Sequence, residues 1–245
     1  MPSIRRKLRI YPIDTLPSLV GAIFVFLSVI ITIHYENNIS AISASIQTPW
    51  GIVTSNFIFD GLNNVGTYIF YLLLLYLSNI QYQLEVRKKR YLSTVCSMFV
   101  SAIAANGIWL YMSYLSNSGI TSGGESAVIF GFVGACFSLF LTDSLINLSG
   151  FVSVKIFSKE PSLSSFRSGS KIRRRIGGIV SPSLSIIIVA DLVYGRITFF
   201  NELPKVNYLV HVVAFTMGFL ISAGIYYWEI YRLIRKRVTN TNRAF

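Results

Sequence analysis

Residues 17–33 read PSLVGAIFVFLSVIITI, an apolar stretch that contains no charged side chain and ends before His34, Tyr35 and Glu36. A helix rises about 1.5 Å per residue, so this stretch can cross a bilayer core of about 30 Å. The cations at residues 5–9 would also suit a signal peptide, but the apolar stretch is longer than the usual h-region of about 7–15 residues. We therefore predict a first transmembrane helix that is retained in the protein.

The composition of the whole chain favours a membrane protein. Of its 245 residues, 53% are hydrophobic and only 13% are charged, whereas about a quarter are charged in ordinary soluble domains. Five more apolar segments follow the first, each bounded by polar, glycine or charged residues: 66–80, 91–115, 126–146, 179–194 and 208–227. The sequence therefore predicts an all-α integral membrane protein with six transmembrane helices.

The basic residues fall on one side of this predicted topology. Of the 22 Lys and Arg residues, only Arg196 and Lys205 lie on the side opposite the N terminus if the spans alternate. Basic residues favour the cytoplasmic side of a membrane. We therefore expect both termini to be cytoplasmic, with residues 1–15 as a basic N-terminal segment, 16–228 as one membrane domain and 229–245 as a basic tail.

The net charge of +12 also bears on partners and cofactors. It could serve nucleic-acid binding, but the sequence shows neither zinc-finger spacing nor a basic helix with base-reading side chains. We expect the cations to set orientation and to contact anionic membrane lipid, with no nucleic-acid partner. Because Cys96, Cys136, His34 and His211 are scattered along the chain, we expect no metal site, and we expect no cofactor.

Polar side chains within the predicted spans are concentrated at two places. The first is the start of the fourth predicted span. Residues 122–135 read SGGESAVIFGFVGA. Gly123 and Gly124 permit backbone conformations closed to other residues, and a helix that begins near Ser126 directs its free N–H groups at an approaching group. This is the local geometry of an oxyanion site. Taken alone, a serine at a helix start is most often a capping residue, and that alternative stays open.

The second place is His211 in the sixth predicted span. At helical spacing His211, Ala214 and Gly218 share one stripe, whose two small residues let another helix approach closely. An intramembrane histidine can be a packing residue, a metal ligand or a proton relay. With a serine from another helix it can also be the general base of nucleophilic catalysis. Nothing in the sequence places Asp143 or Asp191 beside it, so a dyad is the more economical interpretation.

Together these features resemble the rhomboid intramembrane serine proteases. The resemblance covers the six spans and two motifs, which read GESAVIFGFVG at residues 124–134 and HVVAFTMG at residues 211–218. It implies a rhomboid-like six-helix bundle in which Ser126 is the nucleophile and His211 the general base. It also implies that Phe130 stacks on the imidazole.

The chain departs from the family pattern at the second helix. The family commonly has a His-x-x-x-Asn pair that lines the oxyanion hole, and alignment of residues 54–57 with the entry to that helix puts Asn64 and Tyr68 at these positions. An amide and a phenol can each donate a hydrogen bond, so these side chains are the implied oxyanion-hole donors. If they do not rebuild the hole, the same fold would bind transmembrane clients without cutting them.

The resemblance thus implies a serine-type endopeptidase that cleaves the transmembrane segments of single-span membrane proteins. We expect it to be a multi-pass protein, with the cell membrane as its location. The segment of residues 36–62 carries Trp50, Phe57 and Phe59, which predicts a structured loop that lies at the membrane interface and shapes access. A small transporter or channel is the more distant alternative.

Overall fold

A computed structural model describes most of the chain, and the described part is all helical, as predicted. The described residues are 12–59, 61–79, 82–116, 124–152 and 208–242, with Ser183 and Ile186. The α-helices there are α1 (Leu16–His34), α2 (Gly51–Thr54), α3 (Leu62–Asn79), α4 (Leu84–Leu115), α5 (Ser126–Val152) and α6 (Tyr208–Asn242). Short 3-10 helices cover Pro12–Thr15, Glu36–Ala41 and Ser55–Phe57.

Four helices among the described residues are long and apolar enough to cross a membrane: Pro12–His34, Leu84–Leu115, Ser126–Ser144 and Leu209–Glu229. A fifth is added if Gly51–Phe57 and Leu62–Asn79, which meet at an angle of 87°, form one broken span. The described chain therefore holds four or five candidate membrane-spanning helices, as a multi-pass membrane protein requires. Except for Ser183 and Ile186, the predicted span at residues 179–194 lies outside the described residues.

The helix α4 begins at Leu84, whereas the predicted third span begins at residue 91. The four cations at residues 87–90, which we expected between two spans, therefore lie in the first two turns of α4. Apolar side chains mark the part of a helix that suits lipid, but they do not mark where its backbone hydrogen bonds begin. The same reason explains why α6 continues to Asn242 through a basic stretch.

The helices α5 and α6 run parallel and pack tightly. Ser126 meets His211 near the two helix starts, and farther along the Ser222 hydroxyl donates to the carbonyl of Ala135 at 3.4 Å. Both helices therefore begin at the same end of the bundle, which we call the Ser126 end. A Cβ on Gly218 would overlap the backbone of α5, so the close helix approach predicted from the small-residue stripe is confirmed.

The opposite end of the bundle holds a buried charge pair. Arg90 and Asp143 are both 0% exposed, and two guanidinium nitrogens donate to the two carboxylate oxygens at 2.9 Å each. Arg90 also donates to Ser78 at 3.0 Å and to Asn79, while Tyr82 donates to Asp143. Because Arg90 lies near the start of α4 and Asp143 far along α5, these two helices are antiparallel.

The expectation that the cations at residues 87–90 contact lipid headgroups is therefore wrong for Arg90. Two of its neighbours also pair with acids of the protein: Arg87 with Asp14 at 2.9 Å and Lys89 with Glu229 at 2.7 Å. The physical reason is that α4 places these side chains beside carboxylates of the protein, with Arg90 fully buried and Arg87 and Lys89 partly exposed.

The segment between α1 and α3 is folded at the Ser126 end. The Trp50 indole N–H donates to the carbonyl of Ala41 at 2.9 Å, and the Thr54 hydroxyl donates to the carbonyl of Ile42 at 2.8 Å. Trp50 itself is exposed. This segment has the folded character predicted from its aromatic residues.

Candidate active site

The parallel packing of α5 and α6 brings Ser126 and His211 together. Ser126 is the first residue of α5, and His211 lies in the first turn of α6. The Nε2 atom of His211 is 2.9 Å from Oγ of Ser126. Both side chains are half-buried, so the pair is not sealed into the core of the bundle. Two residues that are 85 positions apart in sequence thus form one hydrogen-bonded pair.

The imidazole is also held from one side by Phe130. The two rings are stacked, with centroids 4.4 Å apart and planes inclined by 9°. Phe130 follows Ser126 by one helical turn, so it lies on the same face of α5 as the serine. The stack therefore restrains the imidazole plane at the place where Nε2 meets Oγ.

The backbone turn before Ser126 requires a glycine. Gly124 has a φ of +126°, a conformation that side-chain-bearing residues rarely adopt. The carbonyl of Glu125 then accepts hydrogen bonds from the N–H groups of Val128 at 3.0 Å and Ile129 at 3.2 Å, which starts α5. Because the first N–H groups of an α-helix have no partner within the helix, the N–H of Ser126 is a candidate backbone donor at the site. Gly123, the other predicted turn glycine, lies outside the described residues.

The structure places the Tyr68 hydroxyl away from Ser126. Tyr68 is 4% exposed, and its ring packs on Phe132 with centroids 4.5 Å apart. Its hydroxyl donates to the carbonyl of Pro17 in α1 at 2.6 Å. The single phenolic proton of Tyr68 therefore makes a hydrogen bond between α3 and α1. This bond argues against the predicted oxyanion-hole role. The physical reason is the close approach of α1, where a Cβ on Gly21 would overlap the Tyr68 ring.

Asn64, the other predicted oxyanion-hole residue, lies in the first turn of α3 and is half-buried. Within the described ranges, no hydrogen bond joins its amide to Ser126 or His211. The structure therefore brings together Ser126, His211 and Phe130, but adds neither Asn64 nor Tyr68 to them.

Two buried amides that the sequence analysis did not select lie near the turn. Nδ2 of Asn106 in α4 donates to Oδ1 of Asn56 at 2.9 Å, and the two residues are 1% and 3% exposed. Asn56 belongs to the stretch of residues 54–57 that precedes α3. An asparagine within an apolar span is costly unless it finds a partner, and that rule could have singled out Asn106.

Of the two acids considered as a third catalytic member, the structure describes Asp143, which is held by Arg90 at the opposite end of the bundle. Asp191 lies outside the described residues. Among the residues that the structure describes, Ser126 is the hydrogen-bond partner of His211 and Phe130 is its ring partner. The pair has the geometry of a serine–histidine dyad.

No family model, curated protein or solved structure matches this chain. Function must therefore follow from the chemistry of the site. A neutral imidazole whose Nε2 faces a hydroxyl can accept the hydroxyl proton as the oxygen attacks an electrophilic carbon. A dyad therefore requires a neutral His211 whose Nε2 carries no proton.

Proposed function

We propose that this protein is a rhomboid-like intramembrane serine endopeptidase with Ser126 as nucleophile and His211 as general base. The observation that carries the proposal is the 2.9 Å contact between Ser126 Oγ and His211 Nε2. The two atoms belong to helices that are long and apolar enough to cross a membrane. A half-buried hydroxyl–imidazole pair in that setting suits acyl transfer better than helix capping alone.

The mechanism proceeds in two stages. In the first stage the Ser126 hydroxyl attacks the scissile carbonyl carbon while its proton moves to Nε2 of His211. The N–H of Ser126 donates to the developing oxyanion. The imidazolium then gives its proton to the leaving amine as the C–N bond breaks, which leaves an acyl-enzyme on Ser126. In the second stage, water activated by His211 hydrolyses the ester and restores both groups.

The proposed substrates are single-span membrane proteins. A peptide bond inside a helix is shielded by i to i−4 hydrogen bonds, so the substrate helix has to unwind locally before Ser126 can attack. We therefore expect small or helix-breaking residues near the cut. The proposal also includes six spans, cytoplasmic termini and a location in the cell membrane. The basic residues then face anionic lipid on the cytoplasmic side.

A second candidate is a catalytically impaired protein that binds transmembrane clients. The engagement of the Tyr68 hydroxyl by Pro17 favours it, because one expected oxyanion donor is then used elsewhere. Removal of one such donor from a serine protease costs about 2.7–4 kcal/mol of transition-state stabilisation. The loss of one donor slows an enzyme without abolishing its reaction.

Cleavage in liposomes tests the proposal. The purified full chain is reconstituted with a generic single-span substrate, beside the variants Ser126→Ala and His211→Ala. We expect cleavage by the wild type and none above background by either variant. Cleavage that persists in both variants would contradict the dyad. Co-purification of the uncleaved substrate with the wild type after the liposomes are dissolved in mild detergent would favour the client-binding alternative.

A further inference from the structure

The turn that precedes Ser126 is held by a different part of the chain. The N–H of Gly124 donates to the carbonyl of Ser55 at 2.9 Å, and the N–H of Glu125 donates to the carbonyl of Ile58 at 2.8 Å. Both acceptors belong to the short stretch of residues 55–58, which we call the turn clamp. The position of the Ser126 N–H and hydroxyl therefore depends on the position of the turn clamp.

The turn clamp is itself anchored to α4 through one pair of amides. Asn56 lies within the clamp, and its Oδ1 accepts the hydrogen bond from Asn106 Nδ2 at 2.9 Å. The Nδ2 of Asn56 turns back to the carbonyls of Ile52 at 2.9 Å and Val53 at 3.2 Å in α2. One buried side chain thus joins α2, the clamp and α4.

Other contacts tie the clamp to α1. The ring of Phe57 packs on Phe24 with centroids 5.5 Å apart, and the N–H of Phe59 donates to the Thr32 hydroxyl at 2.7 Å. These contacts fix the clamp beside α1, while the amide pair joins it by a hydrogen bond to α4. The pair is buried, so water does not substitute readily for a lost partner.

We propose that Asn56 and Asn106 are positioning residues for the nucleophile. Asn106 holds Asn56, Asn56 holds the turn clamp, and the clamp holds the backbone of Gly124 and Glu125 that leads into Ser126. This inference rests on the proposed protease function. Neither amide contacts the reacting atoms. We therefore expect loss of the pair to displace Ser126 without weakening the binding of substrate.

The test compares Asn106→Leu with Asn106→Gln and with Thr94→Val. Leucine keeps the branched shape and the number of heavy atoms of the asparagine side chain but removes the amide, whereas glutamine keeps an amide. Thr94→Val is the matched control because Thr94 is also buried in α4 and its hydroxyl donates to the carbonyl of Arg90 at 2.8 Å, away from the clamp. The kcat, KM and melting temperature are measured for each full-length variant in liposomes.

The expected result is a selective loss of kcat. Asn106→Leu lowers kcat by about 10- to 100-fold with KM changed by less than about twofold, as expected for a small displacement of a catalytic group. Asn106→Gln recovers part of the loss, and Thr94→Val lowers the melting temperature without changing kcat. A kcat for Asn106→Leu equal to that of Thr94→Val would overturn the inference.

A second variant covers the case in which Asn106→Leu does not fold. Asn56→Ala removes the acceptor for Asn106 from the clamp itself, so we expect the same selective loss of kcat. An unchanged kcat in Asn56→Ala would overturn the inference. Failure of the proposed function gives a different result, because wild type and Ser126→Ala would then show the same background cleavage.

Discussion

Gly218 of α6 lies directly against the backbone of Gly131 in α5. A Cβ at residue 218 would overlap the Gly131 carbonyl, so the two helices approach as closely as their backbones allow. The same pair of helices carries His211 and Ser126. The packing of α6 on α5 therefore helps to set the distance between the imidazole and the hydroxyl.

We expect Gly218→Val to destabilise the protein and to abolish cleavage, because the added side chain forces α6 away from α5. Overpacking of this kind costs about 1–3 kcal/mol. The matched control is Gly224→Ala in the same helix, where a Cβ meets nothing within 4 Å. Melting temperature and cleavage rate are measured for both variants. Wild-type cleavage by Gly218→Val would contradict the packing account.

Gly124 provides a second test, at the turn before the nucleophile. Its φ of +126° makes Gly124→Ala strained by about 1–3 kcal/mol, and relief of that strain would move Ser126. We expect loss of most cleavage activity. Gly107→Ala in α4 is the control, since a Cβ there meets nothing within 4 Å and alanine favours the helix. Equal activity in the two variants would show that the turn does not depend on Gly124.

The stack of Phe130 on His211 predicts a smaller effect on turnover. Phe130→Leu keeps an apolar side chain but removes the ring, and aromatic pairs contribute about 0.5–1.5 kcal/mol. We expect kcat to fall by about 2- to 10-fold. Phe130→Tyr keeps the stacking face and should keep kcat. Steady-state cleavage kinetics distinguish the two, and an identical kcat in both variants would remove the proposed role of the ring.

A substitution of Tyr68 distinguishes a packing role of its hydroxyl from a catalytic role. Because its hydroxyl donates to Pro17, we expect Tyr68→Phe to lower the free energy of unfolding by about 0.5–1.5 kcal/mol and to leave kcat unchanged. An oxyanion-hole donor would instead lower kcat by about 100- to 1000-fold. Cleavage kinetics beside a thermal melt decide between them. A large loss of kcat would restore the role predicted from the alignment.

The buried pair of Arg90 and Asp143 predicts non-additive stability. Asp143→Asn leaves a buried guanidinium without its counter-charge and should cost about 3–5 kcal/mol of stability. The single variant Arg90→Met and the double variant Arg90→Met with Asp143→Asn complete the cycle, and the double variant, which removes both charges, should recover most of that loss. Unfolding in detergent micelles measures the cycle. Additive losses in the double variant would mean that the two residues act independently.

The sequence was sufficient for features that depend on local spacing. The apolar stretches predicted helices of membrane-crossing length, and the small residues at 214 and 218 predicted a close helix contact. Ser126, Phe130 and His211 were selected from two short motifs, and the structure places them together. Spacing of one turn along a helix fixes which face a side chain occupies, so such motifs carry three-dimensional information.

Features that depend on contacts between distant segments could not be predicted in the same way. The sequence position of Tyr68 matched an oxyanion-hole residue, but the packing of α1 decides where its hydroxyl points. Arg90 looked like part of an exposed cluster because its partner, Asp143, is 53 residues away. Asn106 and its partner are 50 residues apart, so neither identifies the other in the sequence.

The most direct test of the central claim is covalent labelling of Ser126. The full chain in liposomes is treated with a fluorophosphonate probe, which reacts with activated serine hydroxyls, and the modified peptide is mapped by mass spectrometry. The account predicts one adduct on Ser126 in the wild type and its loss in His211→Ala, in which the hydroxyl remains but its base is gone. Equal labelling of Ser126 in the wild type and in His211→Ala, or no labelling of Ser126 at all, would contradict it.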